Sequence, residues 1–394
     1  MSLFFGAKEN DCFLVFDIGS GSVGGAIVLA SAVGPARVLY SVRSDIPFQE
    51  EARGAALLAL MLRALSQVVS TIQHEGFDAS GFGSRRPRIT EAAVSLSAPW
   101  IASRTSFLRL KNQTPALITL EIVASLIEHA RSGRDAERGV PKGSVSVEQK
   151  LVKSVLNGYE TAQPYGKEAR EAEFAVCESF ALPDVVEKIT DVITRVIHPH
   201  RIPIHSFALA AFAVLRELLP HEPHFVLVDV SGEQTELSIV KNAALVESAT
   251  FPFGRQRLIR TLRKAAHMPV SSIETFLKLY REEKGIGRLF DRAKHTMERA
   301  QEEWGAELER ALGVFSEELF LPPLLYLMAD DDVASVFARA VKTRDASRFT
   351  LSSASFHATV VDSNLLSSLV LWSPPHARDP FLGVLAAFAG RIRR

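Results

Sequence analysis

Residues 13–29, FLVFDIGSGSVGGAIVL, decide how the rest of the chain is read. Four apolar residues, Phe13 to Phe16, have the length and texture of a buried strand. They end at Asp17. Ile18, Gly19, Ser20, Gly21 and Ser22 then supply a tight turn, and a second apolar run begins at Ala26. Such a turn gathers a carboxylate, two glycines and two hydroxyls. Glycine lets backbone N–H groups approach phosphate oxygens, hydroxyls donate to them, and a carboxylate can hold a hydrated Mg²⁺. The same residues also make an ordinary hairpin, so a second copy is what gives the first its meaning. Residues 225–240, FVLVDVSGEQTELSIV, repeat the order: apolar strand, Asp229, small residues Ser231 and Gly232, then Thr235 and another strand. Two related lobes closing on one nucleotide need such a pair.

Composition sets the frame. A chain of 394 residues is too long for one ordinary core, so two or more domains are expected. With 47% hydrophobic and 23% charged residues it belongs to the globular class. Lys+Arg 45 against Asp+Glu 45 gives no bulk attraction to nucleic acid or an acidic membrane. Cys12 and Cys177 read as small buried hydrophobes of a reducing compartment. No run approaches the roughly 18 apolar residues of a membrane span. Residues 1–6 lack the basic and apolar regions of a signal peptide, and the expectation is a cytoplasmic protein.

Further along, residues 37–43 extend the first hairpin by a strand. Residues 52–72 carry a helical stripe of Leu57, Leu60, Met61, Ala64, Leu65 and Val68. Arg85, Arg86 and Arg88 close a Gly/Ser-rich connector and read as a solvated loop. Residues 89–179 have the order strand, helix, strand, strand, with a charged loop over 131–143. Residues 183–197 are an amphipathic helix. His198, His200 and His205 lack the spacing of a metal site. Residues 286–320 bear Phe290, Ala293, Met297, Ala300, Trp304, Leu308, Ala311 and Phe315 at threes and fours, a stripe read as intramolecular core.

The two hairpins resemble the phosphate loops of the actin-like ATPase superfamily. Within it the chain is most similar to the FtsA/PilM type of cell-division and type IV pilus assembly proteins. Asn157-Gly158-Tyr159, Pro164-Tyr165-Gly166-Lys167 and the order of elements across 89–179 carry that likeness. It spans nearly the whole chain in order and is close only in short pieces. The resemblance implies an α/β, two-lobed actin-like (ribonuclease H-like) fold with a small inserted strand-helix-strand-strand subdomain. Residues 1–88 and 180–222 would form the first lobe, 89–179 the self-contained insertion, and 223–394 the second lobe, with 253–320 helical. It implies ATP with Mg²⁺: Asp17 would hold the metal through water, Gly19, Ser20, Gly21 and Ser22 would wrap the outer phosphates, and Asp229, Ser231, Gly232 and Thr235 would serve the opposite side. The implied role is a cytoplasmic scaffold, at most a slow ATPase. It would link cytoplasmic and membrane partners in division or pilus assembly, self-associate, and lie at the inner membrane through those partners.

The chain departs from that pattern at four places. Gly24 stands where relatives carry Lys, Ser206 where they carry a glutamate, Glu233-Gln234 where they prefer small or hydroxyl residues, and residues 329–332, ADDD, where they have a Gly-Gly turn. Asp330 and Asp331 are expected to cap a helix over 332–341. Two further readings stay open: a degenerate member that binds partner peptides without nucleotide, and a small-molecule kinase of the same fold. Residues 379–394, DPFLGVLAAFAGRIRR, fit either a membrane-surface helix or a core helix. The short, Pro-stiffened connector before them favours the core.

Overall fold

Strand β1 (Cys12–Ile18) is buried on both faces, which is why it reads as a continuous apolar run. Strand β2 (Ser22–Leu29) returns antiparallel to it, and β3 (Ala36–Asp45) extends the meander. Helix α1 (Gly54–Thr71) lays Leu57, Leu58, Met61, Leu65 and Val68 on this sheet. It continues through a π turn (Ile72–Gly76) into the short α2 (Phe77–Ala79). Gly25 makes that docking possible: a Cβ there would lie 2.6 Å from Val68 Cγ1 and 2.7 Å from Ile72 Cδ1. The computed structural model describes residues 12–31, 34–50, 53–82, 86–131, 140–316, 320–345, 347–350 and 354–393. The expectations for residues 1–6, Arg85 and most of the 131–143 loop fall outside them. By length and composition, Gly54–Ala79 could cross a membrane, with a mean hydropathy of 1.7, against the expectation of no such segment. Here its apolar stripe packs against the first sheet.

Strand β4 (Ala92–Leu96) pairs parallel with β1. Small residues and full burial make it a central strand, so the insertion does not begin at residue 89. It begins with β5 (Ile101–Leu117), followed by α3 (Leu120–Arg131), β6 (Val145–Leu156), the short β7 (Tyr159–Glu160) and β8 (Glu168–Ala181). These strands form a sheet ordered β5-β8-β6-β7. Helix α3 covers one face through Val123 and Ile127, against Leu108, Ile118 and Phe174. Gly158 and Gly166 sit at φ of +85° and +79°, so they serve the turns. The insertion is less self-contained than its element order implies. Val152, Ala175 and Cys177 pack into a core shared by both lobes, with Phe13 and Phe207 of the first and Phe225 and Leu245 of the second.

Helix α4 (Pro183–Ile197), β9 (Ile204–Ser206) and α5 (Phe207–Leu218) follow, with β9 parallel to β4. The second lobe repeats the plan. Strands β10 (Phe225–Val230), β11 (Thr235–Lys241) and β12 (Ala244–Phe251) form the meander. Helices α6 (Arg255–Ala265), α7 (Val270–Arg281) and α8 (Arg288–Ser316) pack on it. Strand β13 (Leu324–Ala329) joins β10 in parallel, α9 (Ala334–Lys342) covers it, and β14 (His357–Val360) forms the edge. The α8 stripe faces inward as expected. Trp304 is fully buried and its indole N–H donates to Thr235 Oγ1 at 2.9 Å.

The chain does not end in the second lobe. Strand β15 (Val370–Trp372) pairs with β3, and α10 (Pro380–Ile392) lies between that sheet and α5. The first sheet is therefore β15-β3-β2-β1-β4-β9 and the second β12-β11-β10-β13-β14. Residues from 370 onward belong with the first lobe, a correction to 223–394. Phe381 through Gly390 are buried without a break, with small Ala386, Ala387 and Ala389 letting the helix approach its neighbours. Truncation after Arg378 would strip out Phe381, Leu382, Leu385 and Phe388. Buried residues of this size each contribute about 2–5 kcal/mol, against a total stability of about 5–15 kcal/mol. The truncated chain should lose its cooperative melt by circular dichroism; a normal melt with lost liposome binding would mark a membrane helix.

Candidate functional site

The two hairpin turns that sequence pairs with phosphate lie against each other. In the first, Gly19 N–H donates to Ser22 carbonyl at 3.1 Å, and Trp100 Nε1–H donates to Gly19 carbonyl at 2.9 Å. In the second, Ser231 N–H donates to Gln234 carbonyl at 3.0 Å. Between them, Ser20 N–H donates to Ser231 Oγ at 3.1 Å, the two hydroxyls are 3.1 Å apart, and Glu233 N–H donates to Ser20 Oγ at 2.8 Å. A Cβ on Gly21 would fall 2.9 Å from Gly232 Cα, and one on Gly232 would overlap the backbone of Ser20 and Gly21. These glycines permit close approach, as glycine does. What approaches is the opposite hairpin.

Asp17, the expected Mg²⁺ carboxylate, is fully engaged. Its Oδ2 accepts from Arg43 Nη2 at 2.9 Å and its Oδ1 from Ser95 Oγ at 3.0 Å. Arg43 spends its other donors nearby. Its Nη1 reaches Ser22 Oγ at 2.9 Å and its Nε reaches Asp379 Oδ2 at 2.6 Å. The guanidinium carbon also lies 5.4 Å from the Phe381 ring centroid. Burial pushes the Asp17 carboxyl above its ordinary value, and Arg43 opposes that shift. Burial also works against the charge on Arg43, but Asp379 and Asp17 outweigh it and hold the group firmly protonated.

The corresponding acid of the second lobe lacks such a partner. Asp229 is buried, and neither carboxylate oxygen has a hydrogen-bond partner of ordinary geometry. Burial, then the neighbouring Glu236, push it well above the carboxylate range, with Ser97 hydroxyl pulling weakly the other way. Glu236, its ladder partner, is pushed up to about 7 by burial. Asp330 is pushed up to about 6, again chiefly by burial, with Arg255 opposing. Asp330 does not cap α9 through its side chain: its carbonyl accepts from Val333 and Ala334, and the helix starts at Ala334. Asp332 instead pairs with Arg255 at 2.6 Å, and Asp331 offers Arg281 only its carbonyl.

Seven of the nine residues expected to hold nucleotide line one cavity of about 20 Å³: Asp17, Gly19, Gly21, Ser22, Asp229, Ser231 and Gly232. Ser20 is spent on the hairpin contact, and Thr235 donates to Phe253 carbonyl at 2.6 Å. A space of this size admits a water and excludes a phosphate chain. Both Asp17 oxygens already accept a hydrogen bond, one of them from a guanidinium that supplies the positive charge a metal would bring. ATP and Mg²⁺ therefore do not fit these residues as arranged.

Ser206, where a water-orienting glutamate was expected, caps α5: its hydroxyl accepts from Leu209 N–H at 3.4 Å. Its own N–H donates to Glu148, which also bonds His205 Nδ1 at 2.6 Å. His200 instead meets Arg88, so the three histidines do not converge, and among the described residues no group of metal-ligating side chains does. Sequence reasoning missed Arg43, Asp379, Glu236 and Glu148. Each is an isolated charged residue within or at the end of an apparent strand or helix, with no motif around it.

No protein-family model and no curated protein matches the chain. Solved structures do. A chain of the PilM–PilN type IV pilus biogenesis complex is 15% identical, with a TM-score of 0.63 over 98% of this chain and 99% of that one. The ethanolamine utilization protein EutJ from Carboxydothermus hydrogenoformans is 12% identical, with a TM-score of 0.45 over 96% of this chain and 89% of that one. A protein of unknown function with an actin-like ATPase fold from Bacteroides thetaiotaomicron is 9% identical, with a TM-score of 0.39 over 98% of each chain. The first of these shows the fold: it is actin-like and two-lobed, in the arrangement seen in PilM.

The buried acids make a testable pH dependence. Glu236 has its carboxyl raised from 4.5 to about 7 in the folded chain, so the folded state binds a proton that the unfolded state has released. Stability therefore falls as pH rises through that window. Glu236→Gln removes the titration. Relative to the unsubstituted protein, the variant should gain about 3 kcal/mol between pH 4 and pH 8 in urea unfolding. A pH-independent difference would contradict the burial argument.

Proposed function

We propose that this chain is a cytoplasmic scaffold of the PilM type, linking inner-membrane and cytoplasmic partners of a type IV pilus machine. One observation carries the reading. The correspondence with the PilM–PilN complex chain runs end to end on both molecules, so the inserted sheet lies within the matched span. The cleft supports a role in assembly over one in turnover. Its two hairpins bind each other, and the water-orienting position holds a helix cap. A kinase reading loses support for the same reason, since it needs a nucleotide in that cleft. Cell division on the FtsA pattern is the second reading, favoured by the turn at Asn157, Gly158 and Gly166, where all three residues take positive φ. Self-association belongs to either role.

Deletion of the gene in its host separates these readings. Loss of surface pili with normal cell length supports pilus assembly, while filamentous cells with normal pili support division. Normal pili and normal division together would overturn the scaffold reading.

A further inference from the structure

We propose that the cleft between the lobes is closed by the chain's own residues, with Arg43 as a resident cation in the place of a metal–phosphate ligand. The inference concerns the cleft alone and stands or falls separately from the assignment to pilus assembly or division.

Three observations carry it. First, four of the groups suited to holding phosphate are spent. The N–H groups of Ser20 and Glu233 and the hydroxyls of Ser20 and Ser231 all bond across the lobes. Second, space for Arg43 is built in. Gly24 has no side chain, and a Cβ there would stand 2.7 Å from Arg43 Nη2 and 2.9 Å from its Cζ. The guanidinium thus fills the volume that any other residue at 24 would claim, and it reaches Asp17, Ser22 and Asp379 from there. Third, the lobes are joined again at the rim. Phe48, on the segment after β3, packs against the second-lobe core, and Arg263 of α6 lies over its ring at 5.5 Å. Glu50 pairs with the same arginine at 2.5 Å.

Charge argues the same way. The cations beside the cleft are committed: Arg43 to Asp17 and Asp379, Arg255 to Asp332, and Arg260 to Glu233. To gain a counter-charge, an entering triphosphate would have to draw Arg43 from Asp17 or Arg255 from Asp330 and Asp332. These pairs are partly buried, and separating them leaves each charge with incomplete solvation.

The test uses the full chain, Mg²⁺·ATP as probe, and hydrogen exchange at the amides of Ser20 and Glu233. Without substitution, millimolar Mg²⁺·ATP should leave both the melting temperature and these two amides unchanged. Arg43→Gln should speed their exchange about tenfold or more, the consequence of losing charge-assisted bonds beside them, while the β10 amides stay protected. Arg43→Lys should fall between. Should Arg43→Gln fail to fold, Gly24→Ala is the second variant: it displaces the guanidinium without removing its charge and should loosen the same amides. A Mg²⁺-dependent thermal gain in the unsubstituted chain, abolished by Asp17→Asn, would overturn the proposal. So would unchanged exchange at Ser20 and Glu233 in a folded Arg43→Gln or Gly24→Ala.

Discussion

The guanidinium of Arg43 joins the first hairpin to the segment that leads into α10. Through it, Asp17 at the end of β1, Ser22 at the start of β2 and Asp379 before α10 share a single buried charge. A buried ion pair is not in itself a source of stability, since desolvation consumes much of its Coulomb gain. What it supplies is a condition on the fold: remove the cation and two carboxylates are left buried side by side. Asp379 also caps α10 by accepting from Leu382 N–H at 3.1 Å. The last core helix and the heart of the cleft are therefore set by one carboxylate.

That condition explains why the cleft's other acids behave differently. Asp229 occupies the place in the second lobe that Asp17 occupies in the first, at the end of the central strand, yet no arginine reaches it. With no counter-ion, burial pushes its carboxyl well up, and burial raises Glu236 beside it on the next strand as well. The duplicated hairpin is thus symmetric in backbone and asymmetric in charge. One aspartate is matched by a cation, while burial pushes the other toward its protonated form.

Much of this architecture was legible in local patterns. The repeated strand–Asp–turn–strand marked both lobes, the stripe from Phe290 to Phe315 marked the long core helix, and the order of elements marked the insertion. What escaped is non-local. Arg43 is separated from Asp379 by most of the chain, and no spacing rule connects them. β4 looked like the first strand of the insertion because strand texture does not tell which sheet a strand joins; its parallel register with β1 does. The glycines were read as close-approach residues for a phosphate, and here each faces the opposite turn. A turn that admits a phosphate and a turn that admits another turn demand the same absence of a side chain.

This ambiguity has a consequence for reading actin-like folds in general. Backbone features of a phosphate hairpin persist when its ligand is replaced by protein, because the replacement uses the same geometry: small residues, exposed N–H groups and a hydroxyl. The discriminating signal lies in what fills the space between the hairpins. Here it is the opposite turn, reached through Ser20, Ser231 and Glu233, with Arg43 behind it. A body held closed in this way presents fixed outer surfaces without needing a ligand to order them. For a scaffold that is an advantage, since an interface formed on a preorganised surface loses less conformational entropy on binding.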